Sequence, residues 1–180
     1  TLKCEADIFP FLDKHLSENE TKDKIYDFLY IATPEPHKNH NNLILAWIIL
    51  SEENINPHLC LALNNSERLF NNKLKDLIIE FNLKITIINN ISGDDIQKLY
   101  YKSKALIFPS TFESFGIPLL EAKYHNLPIV ASEKDYVRDI INPTETFDPD
   151  SPISIARAVK RFFGYTENYN KIYTSSEFLY

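Results

Sequence analysis

Residues 109–121 read PSTFESFGIPLLE. Gly116 stands just before a helical pattern, and Pro118 falls in its first turn, where a missing N–H costs nothing. The amides of Phe115, Gly116 and Ile117 then point out of the helix end. Free amides at the positive end of the helix dipole make an anion site. Glycine there lets a phosphate or sugar come close to the backbone. Glu113 and Glu121 flank this end, and Ser114 follows the first acid. A carboxylate accepts two hydrogen bonds from a vicinal diol, so both acids suit polyol recognition. The plainer alternative makes Glu121 a dipole-stabilised surface acid and Glu113 a loop acid.

A second loop, residues 33–39, reads TPEPHKN. Lys38 lies between the end of one element and the start of the next, where its ammonium can neutralise a diphosphate as a point charge. His37 offers a second donor, and Thr33 opens the loop. Solvated surface is the alternative for both Lys38 and His37.

These loops need elements to hold them. Residues 27–32 (DFLYIA), 57–63 (PHLCLAL), 84–88 (KITII), 104–108 (KALIF) and 127–131 (LPIVA) are short apolar runs, and 145–147 is a shorter sixth. They read as strands. Helical spacing fills 38–50, 67–81, a segment starting at Ser92 with Asp95 as a capping box, 117–125 and 154–163. Phe70, Leu74, Leu77, Ile78 and Phe81 form one helical face. Apolar strands alternating with helices predict an α/β fold: a Rossmann-like parallel sheet with helices on both faces. Ligands of such sheets sit beyond the carboxyl ends of the strands. The loops to read are therefore 33–39, 64–66, 89–92, 109–116 and 132–135. The domain should span 25–165, after a polar linker at 1–24 and before a polar, aromatic tail at 166–180 that includes Tyr169, Tyr173, Phe178 and Tyr180.

Composition narrows the classes. The chain has 180 residues and a net charge of −6, which disfavours a sequence-independent nucleic-acid partner. Its 3 glycines are too few for a dinucleotide fingerprint or a Walker loop. Cys4 and Cys60 are far apart and form no metal motif; both are expected to be reduced thiols. The longest apolar run, residues 43–50, is too short to span a membrane. Among 5 histidines there is no HxH or HExxH, so no metal site is expected. Asp148-Pro149-Asp150 has the DxD form of metal-dependent transferases, but before a helix it reads as turn and cap chemistry, as does Asp94-Asp95. Without any methionine, the chain is expected to be a piece of a longer one.

Taken together, the loops resemble the donor-binding half of a retaining GT-B glycosyltransferase of the large group-1, or family-4, type. Glu113 to Glu121 is similar to that family's E-x7-E signature, and Leu127-Pro128-Ile129-Val130-Ala131-Ser132 to the strand after it. Thr33-Pro34-Glu35-Pro36-His37-Lys38-Asn39 resembles the first-strand loop in its Arg-Lys-Asn variant. Phe147-Asp148-Pro149-Asp150 followed by Ile155-Ala156 resembles a late FDPxD segment.

The resemblance implies roles. Glu121 binds the ribose hydroxyls. Glu113 faces the donor sugar near its anomeric centre. The backbone of Phe115, Gly116 and Ile117 meets the sugar or its phosphates, with Ser114 and Thr33 nearby. Lys38, with His37, holds the diphosphate and stabilises the leaving nucleoside diphosphate. Asn90, in loop 89–91, lies near the base. No metal or other cofactor is implied beyond the nucleoside-diphosphate sugar itself. The acceptor, a glycan or lipid-linked glycan, would be held by an N-terminal domain preceding Thr1, toward which a helical tail at 166–180 would cross back. The 180-residue piece alone is then expected to fold without turnover. Expected localisation is cytoplasmic, with peripheral association of the full-length protein at the inner face of the membrane. The Asn-, Ile- and Lys-rich usage fits an AT-rich bacterial genome, and the loop variant fits surface polysaccharide synthesis.

Three departures bear on this. Where the family often has Gly-Arg, this chain has Ala32-Thr33 and so lacks a second diphosphate cation. His37 stands where the variant has Arg, and a histidine with a reference pKa near 6.5 is only partly charged at neutral pH. Lys123-Tyr124-His125-Asn126 replaces a small-residue run ending in Gly, and Asn126 can take the left-handed cap in its place. A sugar-nucleotide epimerase of related fold, or a non-catalytic nucleotide-sugar sensing domain, are the competing readings; the missing arginine favours the sensor and E-x7-E opposes the epimerase.

Overall fold

The computed structural model describes residues 24–63 and 68–165. The linker up to residue 23, Cys4, loop 64–66, the side chain of Phe70 and the tail at 166–180 lie outside the described residues.

Six strands form one sheet: β1 (Tyr26–Ala32), β2 (Leu59–Leu63), β3 (Ile85–Asn89), β4 (Ser103–Phe108), β5 (Ile129–Ser132) and β6 (Glu145–Phe147). Between and after them come α1 (His40–Glu52), α2 (Arg68–Glu80), α3 (Gly93–Tyr101), α4 (Ile117–Tyr124), α5 (Asp135–Ile140) and α6 (Pro152–Phe162). Strand order is β3-β2-β1-β4-β5-β6, and every pairing is parallel. Right-handed crossovers then place helices on both faces, as the unbroken apolar strands require.

The central strands are sealed. Phe28, Leu29 and Tyr30 of β1, all of β2, and Ala105, Leu106 and Ile107 of β4 have no exposed surface or almost none. Leu29 stands opposite Cys60 on one side and Leu106 on the other. Burial pushes the Cys60 thiol up to about 12, so it packs as a small apolar group. On one face Phe28 meets Trp47 of α1 edge-on at 5.7 Å and Phe162 of α6 at 5.2 Å. The Trp47 indole donates to the Pro57 carbonyl at 2.9 Å, so its one polar atom is satisfied in the core.

The expected α/β architecture is present, with local corrections. α1 starts at His40 rather than Lys38, because Pro36–Lys38 form a 3-10 turn and Asn39 enters the left-handed region at φ 61°. Asparagine tolerates that region better than other non-glycine residues. β5 begins only at Ile129, after Pro128, which has no N–H for the ladder. α5 was not anticipated: it has six residues and no side-chain cap at Lys134. Ser92 does cap α3, accepting from the Asp95 N–H at 3.3 Å and donating to its carboxylate at 2.6 Å. Asn126 does take a left-handed conformation, at φ 50°.

Candidate functional site

The strand order reverses direction between β1 and β4, since the chain builds outward one way from β1 and the other way from β4. At such a switch point the loops leave in opposite directions and open a crevice at the carboxyl edge. The two loops beside this crevice are 33–39 after β1 and 109–116 after β4. Both were picked out by sequence, and the topology makes them neighbours.

Lys38 and Glu113 meet between these two loops. The ammonium donates to both carboxylate oxygens, at 2.7 and 2.9 Å, and the side chains are only 18% and 11% exposed. The loops are stitched below this pair. Thr111 donates its N–H to the His37 carbonyl at 2.9 Å. Asn39 donates to the Pro109 carbonyl at 3.0 Å and to the Pro149 carbonyl at 2.7 Å, tying in the segment after β6. Tyr30, buried at the end of β1, donates to the Lys38 carbonyl at 2.6 Å. Tyr136 of α5 donates to the Ser110 carbonyl at 2.7 Å. Burial raises both phenols, so each stays protonated and remains a donor.

α4 begins at Gly116, at φ 62° and ψ 45°, and no side chain caps it. Among the described residues, the N–H groups of Phe115, Gly116 and Ile117 donate no loop, turn or capping hydrogen bond. A Cβ at Gly116 would sit 3.1 Å from Leu119 Cδ1 and 3.2 Å from Ile140 Cδ1. Both the backbone angle and the packing therefore require glycine. Gly116 itself is buried, whereas Ser114, Phe115 and Ile117 around it are exposed.

Glu121, one turn further, has a different environment from Glu113. Among the described residues no cation pairs with it. Instead the Tyr100 hydroxyl donates to its Oε2 at 2.8 Å. Burial raises the Glu121 carboxyl above the usual carboxylate range, and the Tyr100 hydrogen bond pulls it back down. The two acids thus differ: one is neutralised by a lysine, the other is an acceptor held by a phenol.

The profile of the family described as Glycosyl transferases group 1 matches residues 13–176. The chain belongs to this family. Its fold is the Rossmann-like unit of a GT-B glycosyltransferase. The O-antigen chain mannosyltransferase RfbU of Salmonella typhimurium strain LT2 is 27% identical over 144 residues, covering 78% of this chain and 39% of RfbU. A glycosyltransferase from Rickettsia africae ESF-5 superposes with TM-score 0.71 at 22% identity, over 83% of this chain and 43% of that one. Anabaena Alr3699/HepE, crystallised with UDP and glucose, superposes with TM-score 0.68 at 16% identity, over 82% and 43% of the two chains. The chain therefore spans about two fifths of the length of these relatives.

Within this group-1 chain, Lys38 and Glu113 pair between the loops after β1 and β4, Ser114, Phe115, Gly116 and Ile117 lead from Glu113 into α4, and Thr33 stands at the exit of β1. His37 contributes its carbonyl to the loop stitch, while its ring pairs at 3.5 Å with Glu35. Asn90 is not brought to the pair. It follows β3, two strands from β1, at φ 52°, roughly 10 Å away by strand spacing. Asp148 and Asp150 form a turn, with the Asp150 N–H donating to Asp148 at 3.0 Å, and Ser151 caps α6. Among the described residues no three His, Cys, Asp or Glu side chains group closely enough to hold a metal ion.

Sequence reasoning missed Asn39, Tyr30, Tyr136 and Tyr100 as site-building residues. Only Asn39 carried a signal, as an asparagine at a strand–helix junction; the tyrosines sit in strands or helices and read as core.

Proposed function

We propose that this chain is the donor-binding domain of a glycosyltransferase that moves a sugar, with retention, from a nucleoside-diphosphate sugar to a glycan or lipid-linked acceptor in bacterial surface polysaccharide synthesis. The observation that carries this reading is the Lys38–Glu113 pair seated at the β1–β4 switch point, beside the uncapped start of α4. One ammonium and a row of free amides suit a diphosphate, and one acid beyond each suits a hydroxylated ring.

The roles follow from position. Breaking the bond between the anomeric carbon and the phosphate oxygen builds negative charge on the departing diphosphate. Lys38 and the amides of 115–117 receive that charge, with no resident metal assigned. Glu113, beside Lys38, faces the sugar, and Glu121 takes the ribose hydroxyls. Asn90 and Thr33 border the base and phosphate ends. The name of the Salmonella relative supports an O-antigen setting, and HepE's bound UDP and glucose support a nucleotide-sugar donor. The likeness of the Glu113–Glu121 run to the retaining enzymes supports retention. The acceptor would be held by a preceding domain, and the reaction would run at the cytoplasmic face of the membrane. No described helix is long and apolar enough to cross one.

Calorimetry with UDP and GDP tests this. Lys38→Ala and Glu121→Ala are each expected to weaken binding of the preferred nucleotide about tenfold or more, as the loss of a charged hydrogen bond predicts. Unchanged affinity in both variants overturns the site.

A further inference from the structure

Glu113 and Glu121 are supported from different sides of the molecule, and the support of Glu121 reaches into the core. Tyr100 lies in the last turn of α3 and has no exposed surface. Its hydroxyl is 2.8 Å from Glu121 Oε2 and 3.4 Å from the Pro118 carbonyl, so it is fixed against α4. Its ring stacks on His125, with centroids 5.1 Å apart and planes 18° from parallel. His125 is in turn boxed edge-on by Tyr101 at 4.7 Å and Tyr124 at 5.3 Å. Its Nε2 bonds the Gln97 side chain, one turn before Tyr100 on α3. The phenol therefore has no room to swing away from Glu121.

A glutamate has three side-chain torsions, and an unanchored one in solvent samples many of them. An ionised carboxylate offers about four lone-pair sites. With one given to a buried, immobile donor, the carboxylate plane is set before any ligand arrives. Among the described residues no second side chain donates to it, which leaves the lone pairs of its other oxygen without a side-chain donor.

From this geometry we infer that Tyr100 is a positioning residue: it presents the Glu121 carboxylate to a ribose diol and so makes the site selective for ribonucleotides over 2′-deoxyribonucleotides. The inference rests on the assignment of Glu121 to the ribose. Tyr100 acts only through Glu121 and touches no substrate. The stack of Gln97, His125 and Tyr101 is its anchor. Orientation of this kind matters because a hydrogen bond to a charged group counts fully only when well aligned.

The test uses the 180-residue chain and two nucleotide pairs, UDP with 2′-deoxy-UDP and GDP with 2′-deoxy-GDP. For whichever base binds, the wild type is expected to favour the ribonucleotide about tenfold or more, the value of one charged hydrogen bond. Tyr100→Phe keeps the ring and its stacking and removes one oxygen. It is expected to reduce that preference to about threefold or less, with a smaller loss of deoxynucleotide affinity through the remaining 3′-hydroxyl. A merely structural role would weaken both nucleotides alike. In the Glu121→Ala background, Tyr100→Phe should have no further effect on the ribo/deoxy ratio.

A wild-type ratio retained in Tyr100→Phe, with the preference lost in Glu121→Ala, overturns the positioning role and leaves the ribose assignment standing. No preference in the wild type, or a preference that survives Glu121→Ala, overturns the ribose assignment and the inference with it. If Tyr100→Phe does not fold, Gln97→Ala decides. Loosening the stack at a distance should lower the ratio partway, and an undiminished ratio overturns the inference.

Discussion

The chain's three glycines make a graded experiment on what the start of α4 requires. At Gly93 the backbone angle is ordinary and an added Cβ meets nothing within 4 Å. At Gly164 the φ is +77° but the space is again open. At Gly116 the φ is +62° and the Cβ would come within 3.1 Å of Leu119 and 3.2 Å of Ile140. Alanine at Gly93 should therefore be neutral or stabilise by up to about 0.5 kcal/mol, through the unfolded chain alone. Alanine at Gly164 should cost about 1 kcal/mol for the left-handed angle. Alanine at Gly116 carries the same angular cost plus overpacking against the buried Leu119, whose Cδ1 would have to give by a few tenths of an ångström; the sum is about 2–4 kcal/mol. For a chain of this size each kcal/mol moves Tm by about 2–4 °C, so thermal melts should separate the three variants cleanly. Gly116→Ala should also lose nucleoside diphosphate affinity, because relieving the clash tilts the amides of 115–117, whereas Gly164→Ala should keep it. A Gly116→Ala protein that melts no lower than Gly164→Ala would refute the claim that packing, and not only backbone angle, fixes this corner.

Three further predictions concern the same region. Glu113→Gln removes the charge that occupies Lys38, so UDP or GDP should bind as tightly or tighter by calorimetry, while turnover by a full-length protein should fall on the order of a hundredfold or more. Asn39→Ala strips the donor from the buried Pro109 carbonyl and should cost about 2–3 kcal/mol in urea unfolding; Asn39→Gly relieves the backbone angle but not the lost bonds, and should recover only part. His40 and His125 are each lowered to about 4, mainly by burial, with Lys38 and Lys24 respectively adding to the effect. Each stays neutral when folded while the unfolded imidazole protonates near 6.5, so their stability is complete above about pH 6.5 and is lost as pH falls toward 4. Between pH 7 and 5 the loss should be on the order of 1–2 kcal/mol for the buried His40 and smaller for the half-buried His125, which solvent screens, and His125→Phe should flatten the pH dependence of Tm.

How much of this was visible in the sequence depended on the range of the interactions. The strands announced themselves because a parallel sheet buries both faces, which leaves runs such as LCLAL with no polar break. α5 did not, because six residues with polar Asp135, Arg138 and Asp139 and no side-chain cap carry too little periodicity to distinguish from a loop. The residue types at the crevice were legible, since Glu113, Gly116, Pro118 and Lys38 each have few local reasons to be where they are. Their juxtaposition was not. Lys38 and Glu113 are 75 residues apart, and only the strand order brings them together. The same holds for Tyr100 and Glu121, whose contact depends on how α3 packs beside α4, which no local pattern encodes. His125, by sequence a member of a departure from the family's small-residue run, became intelligible only once its ring was seen against Tyr100.

The single amide of Asn39 binds three stretches of chain that are far apart in sequence, through the Pro109 and Pro149 carbonyls and its own loop. An engineer who wished to transplant this region from one group-1 glycosyltransferase to another could not exchange these segments one at a time. A loop borrowed after β1 would arrive with its knot untied at the other two, and its lysine would drift. The three pieces form one inheritable cassette, and a chimera built from them together is the one that should keep Lys38 seated against Glu113.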